Sequence, residues 1–314
     1  MFVVGGESLI DLVPAKPGPA AERQPVAGGS PFNCAIALSK LGNETGFLCP
    51  ISTDNYGEML LGPLAEASVR VLVEKRVDAP TTKAIVTFND KMQASYQFER
   101  GAERAFTRDS LLAALPGSTT VLQLGGFVPI ETVDAEAWTA VAQKAIAGGA
   151  VLTMDINVRP LLVDDAAAYR RQLSALLNLA HVIKLSDEDH EWLEPEMSIE
   201  DHAKALLAKP NCELVIVTLG EEGSLAFTAA TQARAAMFSP PVFVDTVGAG
   251  DSLMAGTLTW LGERGALRAG RLSTLGADEL EQMLRFGAVV AGINCGRKGC
   301  QPPTRAEVDA VLGK

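Results

Sequence analysis

Histidine is scarce in this chain, three in 314 residues, and the five cysteines (Cys34, Cys49, Cys212, Cys295, Cys300) are scattered, with no C-x-x-C pair. That argues against structural zinc and reads as a set of reduced thiols. Basic charge is short as well. Twenty-seven Lys and Arg face 38 Asp and Glu, a net −11, so neither nucleic acid nor an anionic membrane is the expected partner. No apolar run reaches the roughly 18–20 residues that a membrane span requires. The start "MFVVGGESLID" has no basic segment ahead of an apolar one, so no signal peptide is expected. A cytoplasmic location follows from these absences. Repeats of 20–50 residues and low-complexity linkers are missing too, which leaves one domain over 1–314.

The rest of the composition suits a large buried core, with 47% hydrophobic residues. Short β-favouring runs alternate with Ala/Leu-rich stretches. "FVVGG", "GFLCPIS", "TVLQLGG", "AVLTMDIN", "HVIKLS" and "LVIVTLG" read as strands, and 31–42, 134–147, 166–179 and 200–208 as helices. Such alternation predicts βαβ units and a mostly parallel sheet. One segment breaks it: "KAIVTFNDKMQASYQFE" (83–99) is β-rich and divides at the turn pair Asn89-Asp90. It predicts an antiparallel hairpin inserted between βα units, with more strand beside it after Asp11. Such a sheet is either a lid or a plain edge.

Five stretches concentrate groups able to do chemistry. In "VFVDTVGAGDSLMAG" (242–256) Val242–Val244 read as a buried strand, and Leu253, Thr257, Trp260 and Leu261 share one face of a following helix. The turn Gly248-Ala249-Gly250 would leave backbone N–H groups at a helix N-terminus, where anions bind. It is neither a G-K-[ST] phosphate loop nor G-x-G-x-x-G, since Leu253 stands at the third glycine position. Asp251 is then either a helix-start acid favoured by the dipole or a general base beside an anion hole. "VIVTLGEEGSL" (215–225) offers Thr218, Gly220 and Gly223, or merely a strand connection. "HVIKLSDEDHEWL" (181–193) sets Lys184 before acids at a helix start, for phosphate and Mg²⁺ or as an ordinary cap. "DINVRP" (155–160) gathers Asp155, Asn157 and Arg159 at the carboxyl end of a strand, the ligand edge of open α/β sheets. Early in the chain, Glu7 and Asp11 flank the first strand. "AGGSPFNCAIALSKLG" (27–42) puts Gly28-Gly29 ahead of a helix bearing Asn33.

These motifs, in this order over essentially the whole chain, resemble the ribokinase/PfkB family of carbohydrate kinases. "DTVGAGD" is similar to its D-T-x-G-A-G-D signature, and "DINVRP", "KLSDED" and "GCQPP" are most similar to bacterial and plant-type fructokinases. The resemblance implies a three-layer α/β/α sandwich, ribokinase-like, with a small β-sheet lid drawn from roughly 11–27 and 83–100. It implies Asp251 as the base that deprotonates a sugar hydroxyl, with the Gly248, Ala249 and Gly250 amides as anion hole. Asp11, Gly28, Gly29, Asn33, Arg100 and Arg159 would contact sugar. Lys184, Thr218, Gly220, Gly223 and Asn157 would lie along ATP. Asp189 would hold Mg²⁺ through water, and Asp245 would border a K⁺ site. Two departures stand out. The family's N-x-x-E reads Ser186…Asp189, and its G-x-D-x-x-G begins with Ser52.

The expected reaction is transfer of the ATP γ-phosphate to D-fructose, at O6. The alternative is a 2-keto-3-deoxygluconate kinase, whose acid substrate would need a cation such as Arg100 or Arg159. A dinucleotide-dependent dehydrogenase is disfavoured by the absent third glycine, and a non-catalytic sugar-binding module by Asp251, Lys184 and Thr218 together. A homodimer through the lid is the protein partner expected.

Overall fold

Alternate residues of each central strand point into two different cores. The computed structural model describes residues 1–14, 22–88 and 94–313. Its strands and helices, in chain order, are β1 (Phe2–Gly5), β2 (Leu9–Pro14), β3 (Arg23–Gly28), α1 (Ser30–Lys40), β4 (Thr45–Leu48), α2 (Asn55–Glu66), β5 (Arg70–Val71), β6 (Lys83–Phe88) and β7 (Ala94–Glu99). There follow α3 (Arg108–Ala114), β8 (Val121–Gly125), α4 (Thr132–Ala147), β9 (Val151–Asp155), α5 (Ala166–Leu177), β10 (Val182–Ser186), α6 (Asp187–Leu193), α7 (Ile199–Leu207) and β11 (Leu214–Thr218). The chain closes with β12 (Ser224–Phe227), β13 (Gln232–Ala235), α8 (Ala249–Glu263), α9 (Ala277–Cys295) and α10 (Arg305–Leu312). Val4, Val121, Val151, Val182 and Leu214 join α1, α2, α8, α9 and α10 in one core. Val3, Leu122, Leu152, Ile183 and Val215 join α4, α5 and α7 in the other. The period-2 pleat thus sorts neighbouring residues to opposite layers, which makes the three-layer α/β/α sandwich.

The large sheet has nine strands in the order β13-β12-β11-β10-β9-β8-β1-β4-β5. From β5 to β11 all pairs are parallel, and β12 and β13 are antiparallel at one edge. After β1 the chain runs to β4 and β5 on one side, then returns to β8 on the other. The strand order therefore reverses between β1 and β8, where an open α/β sheet has a crevice at its carboxyl edge. A second sheet, β3-β2-β6-β7, pairs β2 with β6 in parallel and its other strands antiparallel. Leu9 and Ala84 of this sheet, with Phe98, pack on Phe127 just past β8. The turn expected at Asn89-Asp90 lies outside the described residues.

Helix starts follow local chemistry. Asp54, Asp165 and Ser198 cap α2, α5 and α7, while Ser186 and Thr304 make capping boxes at α6 and α10. Asp54, in the stretch that begins with Ser52, takes the Gly57 N–H and the Thr81 N–H and hydroxyl. The expected strand at Val242–Val244 is absent. These residues are exposed (68%, 61% and 45%), and Val244 N–H donates to Cys295 O at the end of α9. The sheet ends at β13, so no neighbour strand awaits this apolar run, which crosses the end of α9 as a loop. A short apolar run does not by itself report burial. No described helix is long and apolar enough to cross a membrane.

Candidate active site

The carboxyl ends of β1 and β8 open on the crevice, and a buried acid sits there. Glu7, directly after Gly6, accepts the Phe127 N–H at 3.0 Å. A Cβ on Gly126, whose φ is +62°, would collide with the Glu7 carboxylate, so only glycine admits this approach. Desolvation by burial raises the Glu7 pKa from 4.5 to about 7, against the Phe127 hydrogen bond and the nearby Arg159, which lower it. The folded protein therefore binds a proton that the unfolded chain has lost over pH 4.5 to 7. Stability from this group is present below 4.5 and declines through 7. Glu7→Gln should flatten that decline and be more stable than the parent at pH 8 by about 2–3 kcal/mol, read by chemical denaturation at pH 5 and pH 8. A parallel pH dependence in the two proteins would show that Glu7 ionises as an ordinary surface acid.

Asp11 on β2 lies against Gly28 on β3, where a Cβ would come within 2.7 Å of its Oδ2. Burial pushes its pKa up to about 6, with Arg159 pulling the other way. Gly29, at φ +109°, starts α1. Arg159 folds back on its own loop, where its guanidinium donates to Asn157 Oδ1 and to Val158 O. Asn157 takes φ +44°, a left-handed conformation that Asn tolerates better than most residues.

The opening of α8 meets α1. Gly248, at φ +72°, is the α8 N-cap, and a Cβ there would collide with Cys300 Sγ. Asp251, 8% exposed, accepts the Ser30 hydroxyl on Oδ1 at 2.6 Å and Asn33 Nδ2 on Oδ2 at 2.9 Å. Ser30 and Asn33 are three apart on α1 and so share a face. Desolvation raises the Asp251 pKa from 3.8 to about 6, with the Ser30 hydrogen bond opposing. Ala249 N–H donates to Thr246 O, which leaves the N–H groups of Gly248, Gly250 and Asp251 as the donors without an acceptor among the described residues. Lys184 joins them: its Nζ would lie 3.3 Å from a Cβ on Gly250, and it pairs with both oxygens of Asp155 at 2.9 and 2.8 Å. Burial would depress the lysine, but the Asp155 carboxylate more than offsets it, so Lys184 stays charged. Buried carboxylate, orphan amides and a fixed cation together suit proton abstraction beside an anion.

The remaining expected residues line the same sheet edge or anchor its loops. Ser186 and Thr218, the last residues of β10 and β11, are register partners, and Gly220 (φ +54°) and Gly223 (φ +94°) follow Thr218. Asp189 accepts Val158 N–H on Oδ1 at 2.7 Å and Ser186 N–H on Oδ2 at 2.8 Å, binding the β9 loop to the start of α6. Asp245 accepts Val247 N–H at 3.0 Å and Gly299 N–H at 2.8 Å, and Asn294 ties the same two loops through Val247 O and Gln301 N–H. Arg100 forms ion pairs with Glu103, Glu131 and Asp134, over the Phe127 ring. Sequence reasoning singled out neither Ser30, nor the Lys184–Asp155 pair, nor Asn294. Ser30 carried a signal, its three-residue spacing from Asn33.

The profile of the pfkB family carbohydrate kinases matches residues 1–307. Fructokinase-2 of Solanum habrochaites is 31% identical over 99% of this chain and 96% of its own. The crystal structure of a Xylella fastidiosa fructokinase with bound ATP superposes with a TM-score of 0.89 at 25% identity, covering 99% of this chain and 98% of that one. A Vibrio cholerae fructokinase in a fructose-, ADP- and potassium-bound form shares the fold, with a TM-score of 0.81 at 20% identity over 99% and 97% of the two chains. The sandwich with its second small sheet, and the constellation at the start of α8, thus occur in a chain that belongs to the pfkB family of carbohydrate kinases.

Proposed function

We propose that this kinase is a fructokinase that transfers the γ-phosphoryl group of ATP to O6 of D-fructose, with Asp251 as general base. The observation that carries this reading is the Asp251 carboxylate, held by Ser30 and Asn33 beside the unpaired amides of the Gly248 turn and Lys184. In this reading fructose lies in the β1–β8 crevice under the small sheet as a lid, against Asp11, Gly28, Gly29 and Asn33. Asp251 takes the O6 proton as the oxygen attacks the γ-phosphorus and the bond from that phosphorus to the β–γ bridging oxygen breaks, releasing ADP. The turn amides and Lys184 receive negative charge on the transferring group, and the lid excludes water as a competing acceptor.

ATP would lie along the edge marked by Asn157, Lys184, Thr218, Gly220 and Gly223; similarity to the ATP-bound Xylella fastidiosa fructokinase supports that choice of donor. No cluster of three or more His, Cys, Asp or Glu able to cage a metal occurs among the described residues. That suits Mg²⁺ carried by the nucleotide phosphates, with Asp189 reaching it through water, since Mg²⁺ usually keeps several waters and few protein ligands. Its chemistry, when bound, is to neutralise phosphate charge. K⁺ would sit between the Asp245 and 297–303 loops on carbonyl oxygens, with Asp245 holding the two loops together through the Val247 and Gly299 N–H groups. A homodimer through the lid completes the proposal.

Initial rates with ATP and Mg²⁺ across fructose, ribose, 2-keto-3-deoxygluconate, tagatose 6-phosphate and adenosine test the substrate. Fructose is expected to give the largest kcat/KM, and phosphorus NMR of the product to show the 6-phosphate. Faster turnover of 2-keto-3-deoxygluconate would replace this reading with the sugar-acid kinase.

A further inference from the structure

Two arginines, three acids and one aromatic ring meet where the small sheet joins the body. Arg100, directly after β7, donates from Nε to Glu103 Oε1 at 2.8 Å, with Nη2 3.5 Å from Asp134 and Nη1 3.7 Å from Glu131. Its guanidinium stacks over Phe127 with 5.2 Å between its carbon and the ring centroid. Arg104 shares Asp134 at 2.7 Å, so the cluster holds two positive and three negative charges. Glu103 is its fixed member. It is 4% exposed, and besides Arg100 it accepts the Gly101 N–H at 2.9 Å and the Thr82 hydroxyl. A carboxylate anchored by neutral donors of its own cannot follow Arg100 elsewhere, so it holds the arginine in place.

The position of this cluster gives it a consequence for substrate choice. Arg100, Gly6, Glu7 and Phe127 line one cavity of about 10 Å³, room for a single water. The other two cations of the crevice are held differently. Lys184 pairs with Asp155, and Arg159 donates to Asn157 Oδ1 and Val158 O of its own loop. A sugar carboxylate entering this crevice meets the carboxylates of Glu7, Asp11 and Asp251, while Arg100 is engaged by Glu103, Glu131 and Asp134. Discrimination by leaving a substrate charge unpaired is the usual physical route to rejecting it.

We propose that Glu103, by ion-pairing Arg100 at the base of the small sheet, is a specificity-determining residue that sets the preference for a neutral sugar over a sugar acid. This rests on the fructokinase reading above. Glu103→Gln keeps an oxygen for Thr82 and Gly101 but removes the charge that restrains Arg100.

The test compares kcat/KM for 2-keto-3-deoxygluconate with that for fructose. In Glu103→Gln the ratio is expected to rise about tenfold or more, and adding Arg100→Gln should return it to the parental value. An unmoved ratio in a variant that still phosphorylates fructose overturns the inference, as does a gain that survives the loss of Arg100. Should Glu103→Gln lack a cooperative melt, Asp134→Asn decides: a rise supports the inference and no rise overturns it. The parent enzyme's own preference is a separate result. If the parent prefers the acid, the fructokinase reading fails, whereas a fructose-preferring parent with an unmoved ratio fails this inference alone.

Discussion

Asp251→Asn should fold, retain sugar binding, and turn over about 10³-fold more slowly, the order expected when a positioned general base is lost. The hydrogen-bond environment explains why the fold survives. Asn can accept from Asn33 on its oxygen and donate to Ser30 Oγ, whose hydroxyl then turns away, so neither partner of the carboxylate is stranded. The substitution also removes a charge whose burial raises its pKa to about 6. That value fixes the pH signature in the parent. A base must be unprotonated, so turnover should be level above pH 6 and fall roughly tenfold per unit below it. The residual rate of the Asn variant should lack that limb. Turnover within a few-fold of the parent, or an acid limb unchanged in the variant, would remove Asp251 from the role of base.

Lys184→Met combines the second-largest loss of rate with the largest loss of stability. Its partner Asp155 is 3% exposed and would keep a buried charge with its counterion gone. Breaking a buried pair from one side costs about 3–5 kcal/mol, more than the pair adds when intact. Replacing both members, Lys184→Met with Asp155→Leu, should recover much of that stability. Activity should not return with it, because the cation beside Gly250 is still absent. We expect the double variant to remain about 10²-fold or more below the parent in kcat, the usual cost of losing one electrostatic contact to a developing anion. Denaturant melts alongside initial rates separate the two effects. A double variant restored in both would make Lys184 a structural residue only.

The fold was legible where periodicity and length agreed. All six quoted strand runs are strands of the large sheet, and the helices expected at 31–42, 134–147, 166–179 and 200–208 form within a few residues of those limits. The second sheet was legible as a β-rich interruption, with its partner stretch after Asp11 found in β2 and β3. Val242–Val244 misled because hydrophobicity shows a tendency to be buried, not the presence of a neighbour to be buried against. At the site, the sequence exposed residues whose type is unusual for their position, such as Asp251 after paired glycines. It hid those that matter through a partner far away. Lys184 gives no sign of its partner until Asp155 is seen on the adjacent strand, and Arg100 none of its ion pairs until Glu103, Glu131 and Asp134 are seen around it. Pairing across a fold is a property of topology, and no local pattern encodes it.

The hydrogen bonds from Ser30 and Asn33 to Asp251 cross 221 and 218 positions of sequence. During synthesis α1 emerges early, carrying two polar side chains destined for burial, and stays without their acceptor until α8 leaves the ribosome. All nine strands of the large sheet, from β1 to β13, precede that moment. Domains of this size commonly pass through partly formed states. Here such a state would hold a crevice lacking the proposed base, the Gly248 turn and the α8 side of one core. Competence and the closing of that core therefore arrive in the same event, so a nascent chain able to bind a sugar would have no means to phosphorylate it until α8 docks.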